Sequence, residues 1–168
     1  AGYYAEYRTD DARLTLEIIK TAVQLKATTI NYTAATELVY ENKKITGVKC
    51  IDAITKTPFS IKAKKIVNAT GPWVDELREK DKSLSEKKLH LTKGVHIVVD
   101  KNKLPINNSI YFDVEEGRMI FAIPRQGITY IGTTDTEFTE DKNSPKVTRE
   151  DAQYLIDAVN KMFPNAEL

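Results

Sequence analysis

The chain has 168 residues, 41% of them hydrophobic and 29% charged, with a formal net charge of +1. That length suits a domain of ordinary size with a buried core, and the near-neutral balance argues against a nucleic-acid protein, whose footprint is a strong basic excess. No apolar run approaches the roughly 20 residues that span a bilayer, and the single Cys50 forbids an internal disulfide and fits a reducing cytoplasm.

Gly2-Tyr3-Tyr4-Ala5-Glu6-Tyr7 predicts a short aromatic strand. Asp10 or Asp11 then caps a helix whose apolar residues Leu14, Ile18, Ala22 and Leu25 recur at helical spacing, ending near Lys26. Thr28-Thr29-Ile30-Asn31-Tyr32 reads as a buried strand, and residues 34–37 as a turn or short helix. The next pattern predicts a three-stranded meander over residues 36–40, 45–52 and 59–67. Glu41-Asn42-Lys43-Lys44 and Thr55-Lys56-Thr57-Pro58 make its turns. Cys50, between Lys49 and Ile51, reads as a buried strand thiol.

The run Ala63-Lys64-Lys65-Ile66-Val67 is closed by Asn68-Ala69-Thr70-Gly71-Pro72-Trp73, and an amphipathic segment follows through Asp75, Glu76 and Leu77. Pro72 suits a first helical position, because its missing N–H would be unpaired there anyway. A strand ending in small residues and Gly lets backbone amides approach a ligand, and a following helix favours phosphate at the same spot. An ordinary strand–turn–helix has the same pattern.

Glu79-Lys80-Asp81-Lys82-Ser83 reads as a solvated loop. A second sheet is predicted over residues 89–91, 95–99, 109–113, 119–123 and 128–131, punctuated by Glu115-Glu116-Gly117-Arg118 and Arg125-Gln126-Gly127. Thr148-Arg149-Glu150-Asp151 has the form of a capping box, opening a helix with Ala152, Leu155, Ile156, Val159 and Phe163 on one face. The fold class is therefore mixed α/β (α+β), with a small meander, a larger antiparallel sheet and flanking helices.

Four segments taken together carry a resemblance: Asp10-Asp11-Ala12-Arg13-Leu14, the Thr70-Gly71 turn, Lys93-Gly94-Val95-His96-Ile97-Val98-Val99, and Ile123-Pro124 followed by Gly132-Thr133-Thr134-Asp135-Thr136. In this order and spacing the chain resembles the FAD-dependent glycerol-3-phosphate dehydrogenases, from Tyr3 to about Phe163. The resemblance implies that residues 1–80 are part of an FAD-binding region and residues 81–168 a substrate-binding antiparallel sheet that roofs the flavin. The family's Gly-x-Gly-x-x-Gly turn for the FAD pyrophosphate does not occur here. The family's phosphate-gripping Arg, in a Val-Arg-Pro-type segment, would lie past Leu168. The expectation is a middle piece of a longer enzyme, inactive by itself.

His96 is the candidate catalytic residue. An imidazole can take a proton from a secondary alcohol as hydride leaves the same carbon. A lone strand histidine is more often a packed or surface residue, and the Lys-Gly-Val-His-Ile-Val-Val match is what favours a place beside substrate. His96 is expected on a central strand with its ring toward an open concavity. His90 lacks such a match and reads as an exposed strand residue.

Lys93, Arg125 and Thr134 are candidate substrate-binding residues, since a glycerol phosphate dianion needs cationic and amide or hydroxyl donors. Arg125 stands where the family often has an aromatic residue, and a hairpin with hydroxyl-to-backbone bonds also explains Thr134. Arg13 has two readings, a phosphate contact or a buried ion pair with an aspartate beside the helix cap, the second favoured. Ala69, Thr70 and Gly71 are candidate FAD contacts through their backbone, and residues 34–38 a weaker candidate on the adenine side. Trp73 is read as a core anchor for its helix rather than a flavin stacker.

The resemblance implies oxidation of sn-glycerol 3-phosphate to dihydroxyacetone phosphate by hydride transfer to FAD, with electrons passed to the quinone pool. It also implies a cytoplasmic enzyme with any membrane contact peripheral at the inner face of the cell membrane. The rivals are an oxidase that passes electrons to oxygen and a non-catalytic α/β module for a phosphorylated metabolite.

Overall fold

Asn42 and Lys43 carry the chain through a two-residue turn with φ of 49° and 63°, the left-handed pair that matches hairpin twist. The turn joins β1 (Thr33–Glu41) to β2 (Lys44–Asp52), and β3 (Pro58–Lys62) adds to the other edge of β2, giving an antiparallel meander in the order β1-β2-β3. The Asp52 carboxylate accepts from the backbone amides of Ile54 and Thr55, which fixes the β2–β3 turn. Cys50 is buried, as its apolar neighbours imply. The computed structural model describes residues 2–114 and 117–168, so Glu115 and Glu116 of the anticipated turn lie outside the described residues.

Local propensity misleads at four places in this first half. Residues 34–37 belong to β1, not to a turn or helix. The third strand stops at Lys62; the Ala63 amide still donates to the Thr46 carbonyl, but residues 63–67 are in no strand, and Val67 is 84% exposed. Residues 2–7 and 28–32 form no strand and are exposed. Aromatic and β-branched residues favour a pleated, half-buried surface only where a partner strand exists.

The first helix, α1 (Asp11–Gln24), is capped by the Asp10 carboxylate, which accepts from the Arg13 amide at 3.1 Å. Its apolar stripe is present, yet none of its residues is buried among the described residues. A 3₁₀ turn, Gly71–Trp73, leads into α2 (Val74–Lys80) with Pro72 in the first turn. Glu79 and Lys80 thus close a helix instead of opening a loop.

The second half holds the larger sheet. β5 (His96–Asp100), β6 (Ile110–Asp113), β7 (Met119–Arg125) and β8 (Ile128–Gly132) pair antiparallel in the order β5-β8-β7-β6. A short pair, β4 (Thr92–Lys93) with β9 (Thr136–Glu137), stands beside it, and the strand anticipated at residues 89–91 is absent. Gln126 and Gly127, at φ 33° and 90°, turn β7 into β8. Strand alternation then sorts the side chains. One face of the sheet packs Phe112, Ile120, Ala122 and Ile131 with Leu155 and Val159 of α3 (Arg149–Met162). Each of the larger side chains, Phe112, Ile120, Ile131, Leu155 and Val159, is worth about 1.5–3 kcal/mol. The other face is where the candidate site lies.

By contacts the chain divides into two units. The first runs to Ala69 and takes in Leu77–Ser83; the second comprises Thr70–Glu76 and Leu84–Leu168.

Candidate active site on the open sheet face

His96 opens β5 and is exposed on the side of the sheet opposite the core. β5 is an edge strand, hydrogen-bonded to β8 alone, so the expected central position is corrected. An edge follows from the chain path, because β7 and β8 are joined by a tight turn and occupy the middle. The register aligns His96 with Gly132 on β8, Gly132 with Phe121 on β7, and Phe121 with Tyr111 on β6. These four residues form one row across the open face. The ring of His96 lies 5.3 Å from that of Phe121 and 6.0 Å from that of Tyr130, and Tyr111 lies 5.9 Å from Phe121. Val98 and Met119 extend the same face and are largely exposed.

Arg125, the last residue of β7, falls on this face too. Its guanidinium carbon stands 5.7 Å from the centroid of the Tyr130 ring, a cation–π geometry that holds a planar cation in a fixed attitude. Tyr130 therefore contacts both the imidazole and the guanidinium. An imidazole, a guanidinium and three aromatic rings on one exposed surface can handle a proton, pair with an anion and lie against a flat ring system.

Lys93 and Thr134, candidate substrate ligands, have partners within the chain. The Lys93 ammonium contacts the Asp151 carboxylate at 2.6 Å and donates to the Lys146 carbonyl at 2.9 Å; the paired side chains are only 13% and 7% exposed. Asp151 in turn accepts from the amide and hydroxyl of Thr148, completing the capping box of α3. Burial pushes the Asp151 carboxyl up, but the hydrogen bonds from Lys93 and Thr148 and the Lys93 charge outweigh it and hold the group below its usual range. The Thr134 hydroxyl, 2% exposed, accepts from the Val95 amide at 2.9 Å and donates to the Lys93 carbonyl. It pins the start of β5 to the end of β8, which fixes where His96 begins.

The remaining candidates scatter. Arg13 and its aspartate neighbours are exposed on α1, so the favoured buried ion pair is corrected; what remains is the Asp10 cap. Ala69, Thr70 and Gly71 are exposed, and Gly71 at φ +55° has nothing within 4 Å of where a Cβ would stand. Trp73 is 37% exposed and does not anchor α2 in a core. His90 is exposed, as anticipated, but outside any strand.

A model of the family described as "FAD dependent oxidoreductase" matches residues 1–168. The chain belongs to the FAD-dependent oxidoreductase family. Among similar proteins, the "Aerobic glycerol-3-phosphate dehydrogenase" of Staphylococcus aureus (strain USA300) is 54% identical over 169 residues, covering 99% of this chain and 30% of that protein. The protein of the same name from strain MRSA252 is equally similar over the same share. A solved structure, the glycerol-3-phosphate dehydrogenase from Bacillus halodurans complexed with FAD, matches with a TM-score of 0.93 and 54% identity, covering 98% of this chain and 34% of that one. The chain thus spans about a third or less of the length of these relatives.

The aromatic residues of this face that the sequence patterns did not single out are Tyr111, Phe121 and Tyr130. Their signal was present but weak. Each is a large aromatic on a strand whose alternate positions are filled by smaller buried residues such as Ala122 and Ile131, so parity with His96 and Arg125 would have grouped them.

Proposed function

We propose that this chain is part of an FAD-dependent glycerol-3-phosphate dehydrogenase, and that the open face of its four-stranded sheet is the surface that meets substrate. The observation that carries the proposal is the row His96–Gly132–Phe121–Tyr111, with Arg125 held over Tyr130 beside it. The activity itself comes from the names of relatives that are 54% identical over nearly all of this chain.

The residues present suit FAD at its ring end. An exposed face of aromatic and apolar side chains can lie against a flat ring, and the Thr70-Gly71 turn, open at Gly71, lets backbone amides approach a polar edge. Ala69, Thr70 and Gly71 would touch FAD through their backbone. Nothing in this sequence matches the Gly-x-Gly-x-x-Gly holder of the pyrophosphate. Bound FAD supplies the two-electron acceptor for hydride leaving C2 of sn-glycerol 3-phosphate. His96 accepts the C2 hydroxyl proton or orients that hydroxyl, and Arg125 pairs with the phosphate dianion through its forked donors. The aromatic rings exclude water around the reacting carbon.

The finer proposal is that electrons pass to a quinone pool, with peripheral membrane contact in the cytoplasm. No helix among the described residues is long and apolar enough to cross a membrane. Oxygen uptake with peroxide release, in place of quinone reduction, would assign an oxidase.

The test uses the FAD-loaded enzyme that contains this chain. Under anaerobic stopped-flow mixing with sn-glycerol 3-phosphate, His96→Ala should slow flavin reduction by roughly 10²–10⁴-fold, the usual worth of a positioned acid–base group. Arg125→Met should chiefly raise the substrate concentration needed. Flavin reduction at the unmodified rate in both variants would remove this face from the reaction.

A further inference from the structure

Gly132 is buried between the two rings that frame the candidate site, and it is paired in register with both His96 on one side and Phe121 on the other. Phe121 is two strands from His96, and two inter-strand spacings amount to about 9.6 Å. The two ring centroids are nevertheless 5.3 Å apart. Both rings therefore lean toward each other across the strand that separates them. The gap they share exists because position 132 has no side chain. A Cβ there would collide with His96 Cδ2 and stand 2.8 Å from its Nε2 and 3.1 Å from its Cγ. All three nearest neighbours of that added atom belong to the one imidazole.

The φ of Gly132 is not in the left-handed region. Its neighbours on the same face of β8 are also not small: Tyr130 and Ile128 both carry bulk there. Glycine in a strand interior weakens the strand and commonly marks a close approach of another group. Here the approaching group is the candidate catalytic side chain itself.

We infer that Gly132 is a positioning residue for His96: the missing side chain leaves room for the imidazole over β8, beside Phe121 and Tyr130, and so sets where the ring sits. The inference rests on the proposed function for its consequence in catalysis, while its geometric content stands apart from it.

The experiment compares Gly132→Ala, His96→Ala and the double variant in the FAD-loaded enzyme, with ¹³C-histidine labelling. The His96 imidazole resonance, assigned by its loss in His96→Ala, reports the ring's place against Phe121 and Tyr130. Gly132→Ala should shift that resonance and slow flavin reduction about 10²-fold, the scale of a displacement of about 1 Å. In the His96→Ala background the same methyl should change the rate less than about twofold, because coupled residues are strongly non-additive. An unmoved resonance, or an equal loss of rate with and without the imidazole, overturns the inference. If His96→Ala reduces flavin at the unmodified rate, the functional proposal falls, and the resonance shift still decides whether Gly132 seats the ring. Should Gly132→Ala fail to fold, the double variant, in which the collision is gone, must fold; its failure also refutes the role.

Discussion

Replacing Lys93 by methionine separates a structural cation from a substrate ligand. Lys93 forms a salt bridge with Asp151 at 2.6 Å, in a pair whose side chains are almost wholly buried. Removing one partner of such a pair costs about 3–5 kcal/mol, because the other charge is left buried and uncompensated. Asp151 would keep the amide and hydroxyl of Thr148 at 2.9 and 3.0 Å, which favours the lower end, about 3 kcal/mol. For a chain of this size each kcal/mol moves Tm by about 2–4 °C, so the expected fall is about 6–12 °C. The pH dependence gives a second check. The Asp151 carboxyl is held below its ordinary value of 3.8, so its contribution is complete above that value and is lost as pH falls through the lower folded value. The stability gap between the Lys93→Met variant and the unmodified protein should therefore be widest near neutrality and narrow below about pH 4. Thermal melting from pH 7 to pH 3, paired with the substrate dependence of flavin reduction, measures both. An unchanged Tm with a raised KM would refute the structural role and restore Lys93 as a phosphate ligand.

Thr134→Val should lower stability by about 1–3 kcal/mol, since it leaves the buried Val95 amide without its acceptor; chemical denaturation of the variant measures the loss. Leu155→Ala, at a fully buried position of α3, should cost about 2–5 kcal/mol by the same assay. Arg13→Ala should stay within about 0.5 kcal/mol, because the side chain is exposed and the Asp10 cap uses the backbone amide that alanine retains; a large loss would reinstate a buried ion pair.

What the sequence made legible was what depends on neighbours in sequence. Turn chemistry at Asn42-Lys43 and Gln126-Gly127, the Asp10 cap and the Thr148–Asp151 capping box act within four residues, and each is found where its residue types predict. The open side expected for the His96 ring agrees with its exposure on β5. What depended on distant partners was not legible. The strand anticipated through Val67 ends at Lys62, and β-propensity at Ile66 and Val67 did not extend it. The buried pairing of Lys93 was not legible, because its partner Asp151 is 58 positions away. The edge position of β5 and the seat made by Gly132 are products of sheet order, which no local pattern encodes. Trp73 and the stripe of α1 show the same limit, since periodicity predicts an apolar face and not what covers it.

The most direct measurement is a crystal structure of the FAD-loaded enzyme containing this chain, with a non-oxidisable analogue of glycerol 3-phosphate bound. The expected result is a phosphate group paired with Arg125 and the oxygen at C2 within hydrogen-bond reach of His96, both over the open face of the β5-β8-β7-β6 sheet. An analogue bound elsewhere, with that face covered by other side chains of the enzyme, would contradict the assignment of this surface to the reaction.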